Sequence, residues 1–234
     1  MSARSTGQPS TCLAPPISEG EGGGLSRRSL LKTGLAGCLL LAGGVSWIPL
    51  SRALEKAGGE YALIIDLNAC VGCGACEVAC TLRNGLPEGQ SLVRRIPRGE
   101  GRDRWYLTVQ CQQCQDAPCM TVCPTRATYR HASGVVLVNE KACVGCKYCA
   151  VACPYDARIF DERTGVAAKC SLCLPWVLEG GQPACVQACI EGARIFGRRD
   201  EPHIAELLAS GRAQPLHPEF GTNPGLVHYI FPGT

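Results

Sequence analysis

The sequence predicts an α+β fold of short strands and helices assembled around cysteine-bearing loops. Three observations predict it. Cysteines recur in four groups of four: Cys70, Cys73, Cys76 and Cys80; Cys111, Cys114, Cys119 and Cys123; Cys143, Cys146, Cys149 and Cys153; Cys170, Cys173, Cys185 and Cys189. Every group ends in C-x3-C. Short apolar, β-branched runs lead into the first three groups (Tyr61–Asp66, Trp105–Val109, Gly134–Val138), and shorter ones follow the last three (Ala127–Tyr129, Ala157–Phe160, Ala193–Phe196). The last two both begin A-R-I-F. A grammar of strand, loop, short helix and strand used repeatedly is an internal repeat, not one large core.

The third group is the most regular. Ala142–Pro154 reads A-C-V-G-C-K-Y-C-A-V-A-C-P, the C-x2-C-x2-C-x3-C-P run of bacterial ferredoxins, in which the fourth cysteine ligates a second iron–sulfur cluster. Two-residue gaps let a tight loop wrap three sulfurs around one face of a cluster, and Gly145 keeps the backbone close. Cys149 and Cys153 are four residues apart, on one side of a helical turn, and can serve different clusters. Pro154 disfavours helix at Cys153 and redirects the chain. Ala69–Thr81 repeats the pattern almost letter for letter. Sixteen thiolates in four groups match four [4Fe-4S] clusters. Structural zinc sites of four cysteines each are the competing reading, but zinc modules use two separated C-x2-C knuckles. A disulfide scaffold would have to pair cysteines crowded three to a short run.

Residues 1–25 read as a disordered extension rich in Ser, Gly and Pro. Leu25-Ser26-Arg27-Arg28-Ser29-Leu30-Leu31-Lys32 and the apolar Thr33–Leu50 resemble a twin-arginine export signal, with Leu30 where Phe is preferred. Ser51-Arg52-Ala53 supplies a cleavage site, so residues 26–53 are expected to be removed and the mature chain to begin at Leu54. A retained membrane anchor is the alternative, weakened by four glycines in a stretch at the short limit for a span. Leu35-Ala36-Gly37-Cys38 resembles a lipoprotein box but follows Lys32 too closely. Export of a folded, cluster-loaded chain would spare its thiols oxidative scrambling. The two cysteines outside the groups, Cys12 and Cys38, both precede Leu54.

The chain carries a formal charge of +3. Five of its 23 Lys/Arg and two of its 20 Asp/Glu precede Leu54, leaving eighteen of each and no support for nucleic-acid binding. Asn84–Asp103 and Leu174–Ala184 read as an exposed linker and an insertion. A helix is expected over Pro202–Ser210, started near Asp200 or Glu201 and stopped by Gly211. Val227–Phe231 is a last strand that either docks back on the body or meets a partner. His131, His203, His217 and His228 lie outside the cysteine groups, which disfavours a Rieske centre, and no C-x2-C-H haem motif occurs. Tyr148 and Tyr155 are read as packing side chains, and Lys141, Lys147 and Lys169 as solvated ones. No phosphate loop, nucleophile elbow or acid–base pair is present.

From Tyr61 to Phe231 the chain resembles the iron–sulfur subunit of molybdopterin oxidoreductases of the dimethyl-sulfoxide-reductase superfamily. The resemblance rests on the four groups in this order, on C-V-G-C-K-Y-C-A-V-A-C-P-Y-D-A-R at 143–158, and on G-x-x-P-A-C at 180–185. The leader, Y-D-A-R at 155–158 and G-A-R-I at 192–195 are most similar to the exported tetrathionate-, polysulfide- or thiosulfate-reductase type, and to the subunit of formate-dependent nitrite reduction. Trp176 and Ile190 depart from the residues usual in relatives, Arg and Pro. The resemblance implies two interleaved ferredoxin-like dicluster domains: an outer one of 54–103 and 163–200, an inner one of 104–162, and a C-terminal helix and docking tail over 201–234. It implies crossed ligation of four clusters: Cys70, Cys73, Cys76 and Cys189; Cys80, Cys170, Cys173 and Cys185; Cys111, Cys114, Cys119 and Cys153; Cys123, Cys143, Cys146 and Cys149. It further implies an electron carrier without catalytic residues, serving anaerobic respiration. Its partners would be a molybdenum or tungsten molybdopterin subunit and a membrane quinone-reactive anchor, in the periplasm and peripheral to the inner membrane. A free-standing periplasmic polyferredoxin is the runner-up.

Overall fold

The computed structural model describes residues 60–233. The expectations for residues 1–53, the extension, the leader, Cys12 and Cys38, lie outside the described residues. Among the described residues no helix is long and apolar enough to cross a membrane.

The organising element is β1 (Tyr61–Asp66), whose Ala62, Leu63, Ile64 and Ile65 are all fully buried. Alternation along the strand sends them to two places. Leu63 and Ile65 enter a large core that contains many of the cysteines, while Ala62 and Ile64 enter a small one with Ile204, Ala213 and Ile230. The apolar side chains therefore do more than sheathe the cysteine loops, because one face of β1 has its own core. That core is closed by a helix over Pro202–Ala209, numbered α6 below, which starts after Glu201 and ends before Gly211 at φ +72°.

Taken in order, β1 is followed by α1 (Ala75–Arg83), β2 (Arg94–Arg98), β3 (Trp105–Val109), α2 (Pro118–Thr121), β4 (Thr128–Arg130), β5 (Val136–Val138), α3 (Tyr148–Val151), β6 (Ile159–Phe160) and β7 (Ala167–Ala168). Then come α4 (Leu174–Leu178), α5 (Ala184–Gln187), β8 (Arg194–Arg198), α6, β9 (Ala213–Gln214) and β10 (Val227–Ile230). The main sheet has the order β8-β1-β10-β9. Strand β1 is antiparallel to β8, with Leu63 opposite Phe196, and parallel to β10, with Leu63 opposite Val227. β2 with β3, β4 with β5 and β6 with β7 form three antiparallel ribbons. Helix α1 packs on α5, and α2 on α3, so the first cysteine group meets the fourth and the second meets the third.

Two expectations are refined and one alternative is decided. Asn84–Asp103 is not only a linker: it contains β2, which pairs along its whole length with β3. The Leu174–Ala184 insertion contains α4, with Leu174 and Val177 buried. Val227–Ile230 is an interior strand, so this part of the tail is woven into the sheet and docks back on the body.

Candidate functional site

In each cysteine group the residue before the second cysteine is left-handed: Gly72 (φ +71°), Gln113 (+52°), Gly145 (+68°) and Leu172 (+53°). The shared conformation curls each loop so that its sulfurs face one side. Glycine suits the two most regular loops sterically as well as conformationally. A Cβ on Gly145 would stand 2.8 Å from the Gly165 carbonyl oxygen, and one on Gly72 would run into the Tyr106 ring. Gln113 is held in the strained region by its side chain, which donates to the Cys170 carbonyl (2.7 Å) and accepts from the Val136 N–H (2.8 Å). Arg126, Asp156 and Gly192, each three residues after a group's last cysteine, are also left-handed and turn the chain out of the loop.

Four cavities result. One is lined by Cys70, Cys73, Cys76 and Cys189, and encloses about 420 Å³ including its open mouth. A second is lined by Cys80, Cys170, Cys173 and Cys185 (about 340 Å³). A third has Cys111, Cys114, Cys119 and Cys153 (about 370 Å³), and a fourth Cys123, Cys143, Cys146 and Cys149 (about 330 Å³). They are named below by their lowest-numbered cysteine. The last two cysteines of every group line different cavities, as the four-residue spacing allows. None of the sixteen is paired in a disulfide. The Cys80 and Cys111 cavities are the deeper: Cys80, Cys170, Cys185, Cys111 and Cys114 are buried. The Cys70 and Cys123 cavities reach the surface through the exposed Cys73 and Cys146.

The donor set fits a cluster better than a single ion. Each cavity brings four soft sulfur donors and similar volume. Among the described residues no three His, Cys, Asp or Glu side chains converge tightly enough for one metal ion, as a zinc site requires. Burial pushes the Cys114 thiol up to about 11 and lifts Cys170 well above the ordinary thiol range. It also raises Cys76, Cys80, Cys149, Cys153 and Cys173. Burial pushes Cys123 the same way, but hydrogen bonds from the Thr128 backbone and Thr125 hydroxyl outweigh it and leave that thiol below its usual value. Ligation must therefore displace protons from these seven raised thiols.

Several contributors were not legible as site residues. Arg95, on the unexpected β2, lines the Cys70 cavity and donates to the Gly72 carbonyl. Tyr155 is buried, its hydroxyl 2.7 Å from that of Thr222, whereas Tyr148 is 61% exposed. Lys141 and Lys147 are exposed as expected, but Lys169 is 6% exposed, a correction to its reading as solvated.

These features define a ferredoxin-like protein with 4Fe-4S dicluster architecture. A 4Fe-4S dicluster domain family matches residues 103–199, and a 4Fe-4S binding domain matches 61–82. The chain is 40% identical to a tetrathionate reductase subunit from Salmonella typhimurium, over 79% of this chain and 82% of that one. It is 40% identical to protein NrfC of Escherichia coli, over 88% and 96%. It is 44% identical to the thiosulfate reductase electron transfer subunit PhsB of Salmonella typhi, over 62% and 79%. The chain belongs to the iron–sulfur subunit family of molybdopterin oxidoreductase-type complexes.

Proposed function

We propose that the chain is the electron-transfer subunit of a respiratory reductase complex, carrying electrons through four [4Fe-4S] clusters between a membrane quinone-reactive subunit and a molybdopterin catalytic subunit. The observation that carries the reading is the lining of the four cavities, four cysteines to each, with no cysteine left over among the described residues. Each cavity holds one cluster on its own four cysteines, in the order Cys70, Cys80, Cys111, Cys123. The packing of α1 on α5 and of α2 on α3 supports nested domains, the inner 104–162 inserted in an outer unit of 54–103 and 163–200. Residues 26–53 direct export by the twin-arginine route, and the protein works in the periplasm, bound to the membrane through its partner.

A bound [4Fe-4S] cluster supplies one-electron chemistry. The chain's residues hold the sulfurs, exclude water from the inner cavities and expose the outer two. The C-x3-C segments Cys76–Cys80 and Cys119–Cys123 each run from one cavity to its neighbour, giving short covalent links along the row. At the surface ends lie exposed apolar side chains, Val71 (56%) and Ile190 (78%) at the Cys70 cavity and Val144 (67%) at the Cys123 cavity. Grouped around a redox site, these suit partner docking.

Anaerobically purified full-length protein should co-purify with a molybdenum- or tungsten-containing subunit and accept electrons from a quinol-oxidising membrane fraction. The chain alone should reduce and reoxidise without turning over a sulfur or nitrogen oxyanion. Turnover by the chain alone, or a stable monomer that never acquires the metal-containing partner, would overturn the subunit reading.

A further inference from the structure

Three cationic side chains are buried in the body: Arg158 and Lys169 at 6% exposure and Arg194 at 4%. None of the three forms an ion pair with a carboxylate among the described residues. An unpaired buried cation is costly, by several kcal/mol in general, so its position calls for a physical reason.

Each sits at a different junction in the row of cavities. Arg194 lines the Cys70 cavity and points its Nη1 at Cys185 Sγ of the Cys80 cavity, 3.4 Å away. Its Nη2 donates to Thr108 Oγ1 and Gln110 Oε1, both at 3.1 Å. Lys169 donates from Nζ to the Cys170 carbonyl (2.9 Å) and to that of Val136. Cys170 lines the Cys80 cavity and Val136 the Cys111 cavity. Arg158 lines the Cys111 cavity and donates from Nη2 to Thr128 Oγ1 (3.3 Å), which lines the Cys123 cavity. Its Nη1 is buried without a hydrogen-bond partner.

The two arginines are equivalents in the repeat, the second letters of the two A-R-I-F segments. Their surroundings match: in each case a threonine hydroxyl of the surface-reaching cavity accepts one Nη.

We propose that Arg194, Lys169 and Arg158 are positioning residues that place one fixed positive charge at each of the three junctions between neighbouring clusters, favouring the reduced form of both. The row then runs between buried cations, without a site whose added electron faces only other anionic sites. This rests on the reading that the cavities hold clusters.

The test is a redox titration of the anaerobically purified, loaded full chain, following the four couples by electron paramagnetic resonance. Arg158→Gln should lower the reduction equilibrium of two couples at least tenfold, 59 mV for each tenfold in a one-electron couple. Arg194→Gln should do the same to the other two. Lys169→Met should move one couple from each pair. Arg158→Lys and Arg194→Lys should keep their iron and stay within threefold of the parent. Gln variants that keep full iron and leave every couple in place overturn the proposal, as do two arginine variants that move the same couples. If a Gln variant loses iron, the matching Lys variant decides: retained iron and potentials support the charge, and loss or a Gln-like shift refutes it. A parent chain without iron and sulfide would overturn the cluster reading as well; a loaded parent with unmoved couples overturns only the role of the cations.

Discussion

Replacing Cys153 by serine changes one atom, and the structure states which cavity should lose its ligand. Cys153 lies two residues beyond α3 and lines the cavity of Cys111, Cys114 and Cys119, whereas Cys149, four residues earlier, lines the Cys123 cavity. The backbone at Cys153 is tied independently of the sulfur: its N–H donates to the Ala150 carbonyl (3.1 Å), and its carbonyl accepts from Asp156 (3.2 Å). A local unfolding is therefore not expected, and the loss is one cluster of four. Iron should fall from about 16 to about 12 per chain, with sulfide in parallel, at four of each per cubane. Cys149→Ser should do the same at the other cavity, and the double variant should retain about 8. The assay is iron and sulfide analysis of anaerobically purified protein. If each group ligated its own cluster, both singles and the double would all retain about 12. That result would refute crossed ligation.

Gly145→Ala should lower cluster occupancy in the Cys123 cavity, since the left-handed conformation costs a non-glycine residue about 1–2 kcal/mol and its Cβ would meet the Gly165 carbonyl; iron content reads the loss. Ile204→Ala, at a fully buried position, should cost about 2–5 kcal/mol in the denaturant midpoint while leaving iron at its full value. Burial first, and then the charge of Arg199, lower His228 to about 4 against a partial restoring effect of the Gly225 carbonyl. Its folded value lies below its unfolded one, so stability is full above about pH 6.5 and is lost as pH falls toward about 4, by roughly 1.4 kcal/mol per unit. His228→Gln should flatten that slope in denaturation of the loaded chain between pH 7 and 5. Exchanging Arg27 and Arg28 for lysine should strand loaded protein in the cytoplasm, and unchanged periplasmic delivery would contradict the export proposal.

How much was legible in the sequence depended on whether the signal was local. Strands β1 and β3 match their expected bounds because apolar, β-branched runs between turn residues are a local pattern. The four-residue step of each C-x3-C allowed its two cysteines to serve different cavities, but which cavity takes which cysteine depends on contacts between distant groups, first with fourth and second with third, that no local spacing announces. Strand β2 was not, since Arg94-Arg95-Ile96-Pro97-Arg98 has little apolar content and a proline that excludes it from all but an edge; its partner β3 makes it a strand. Helix α4 is one short turn, too brief to show a period. The place of β10 between β1 and β9 depends on a parallel pairing across more than 160 residues, which no local pattern announces. Lys169 misled for a similar reason: lysine defaults to solvent, and its burial depends on a carbonyl of Val136, 33 residues away.

The central claim, a chain that stores and passes electrons on four clusters, is tested most directly by counting them. Anaerobic reductive titration of the full chain, with iron and sulfide measured on the same sample, should give about 16 of each and about four one-electron equivalents per chain. Stoichiometric zinc without sulfide, or a chain that takes up no electrons, would contradict it.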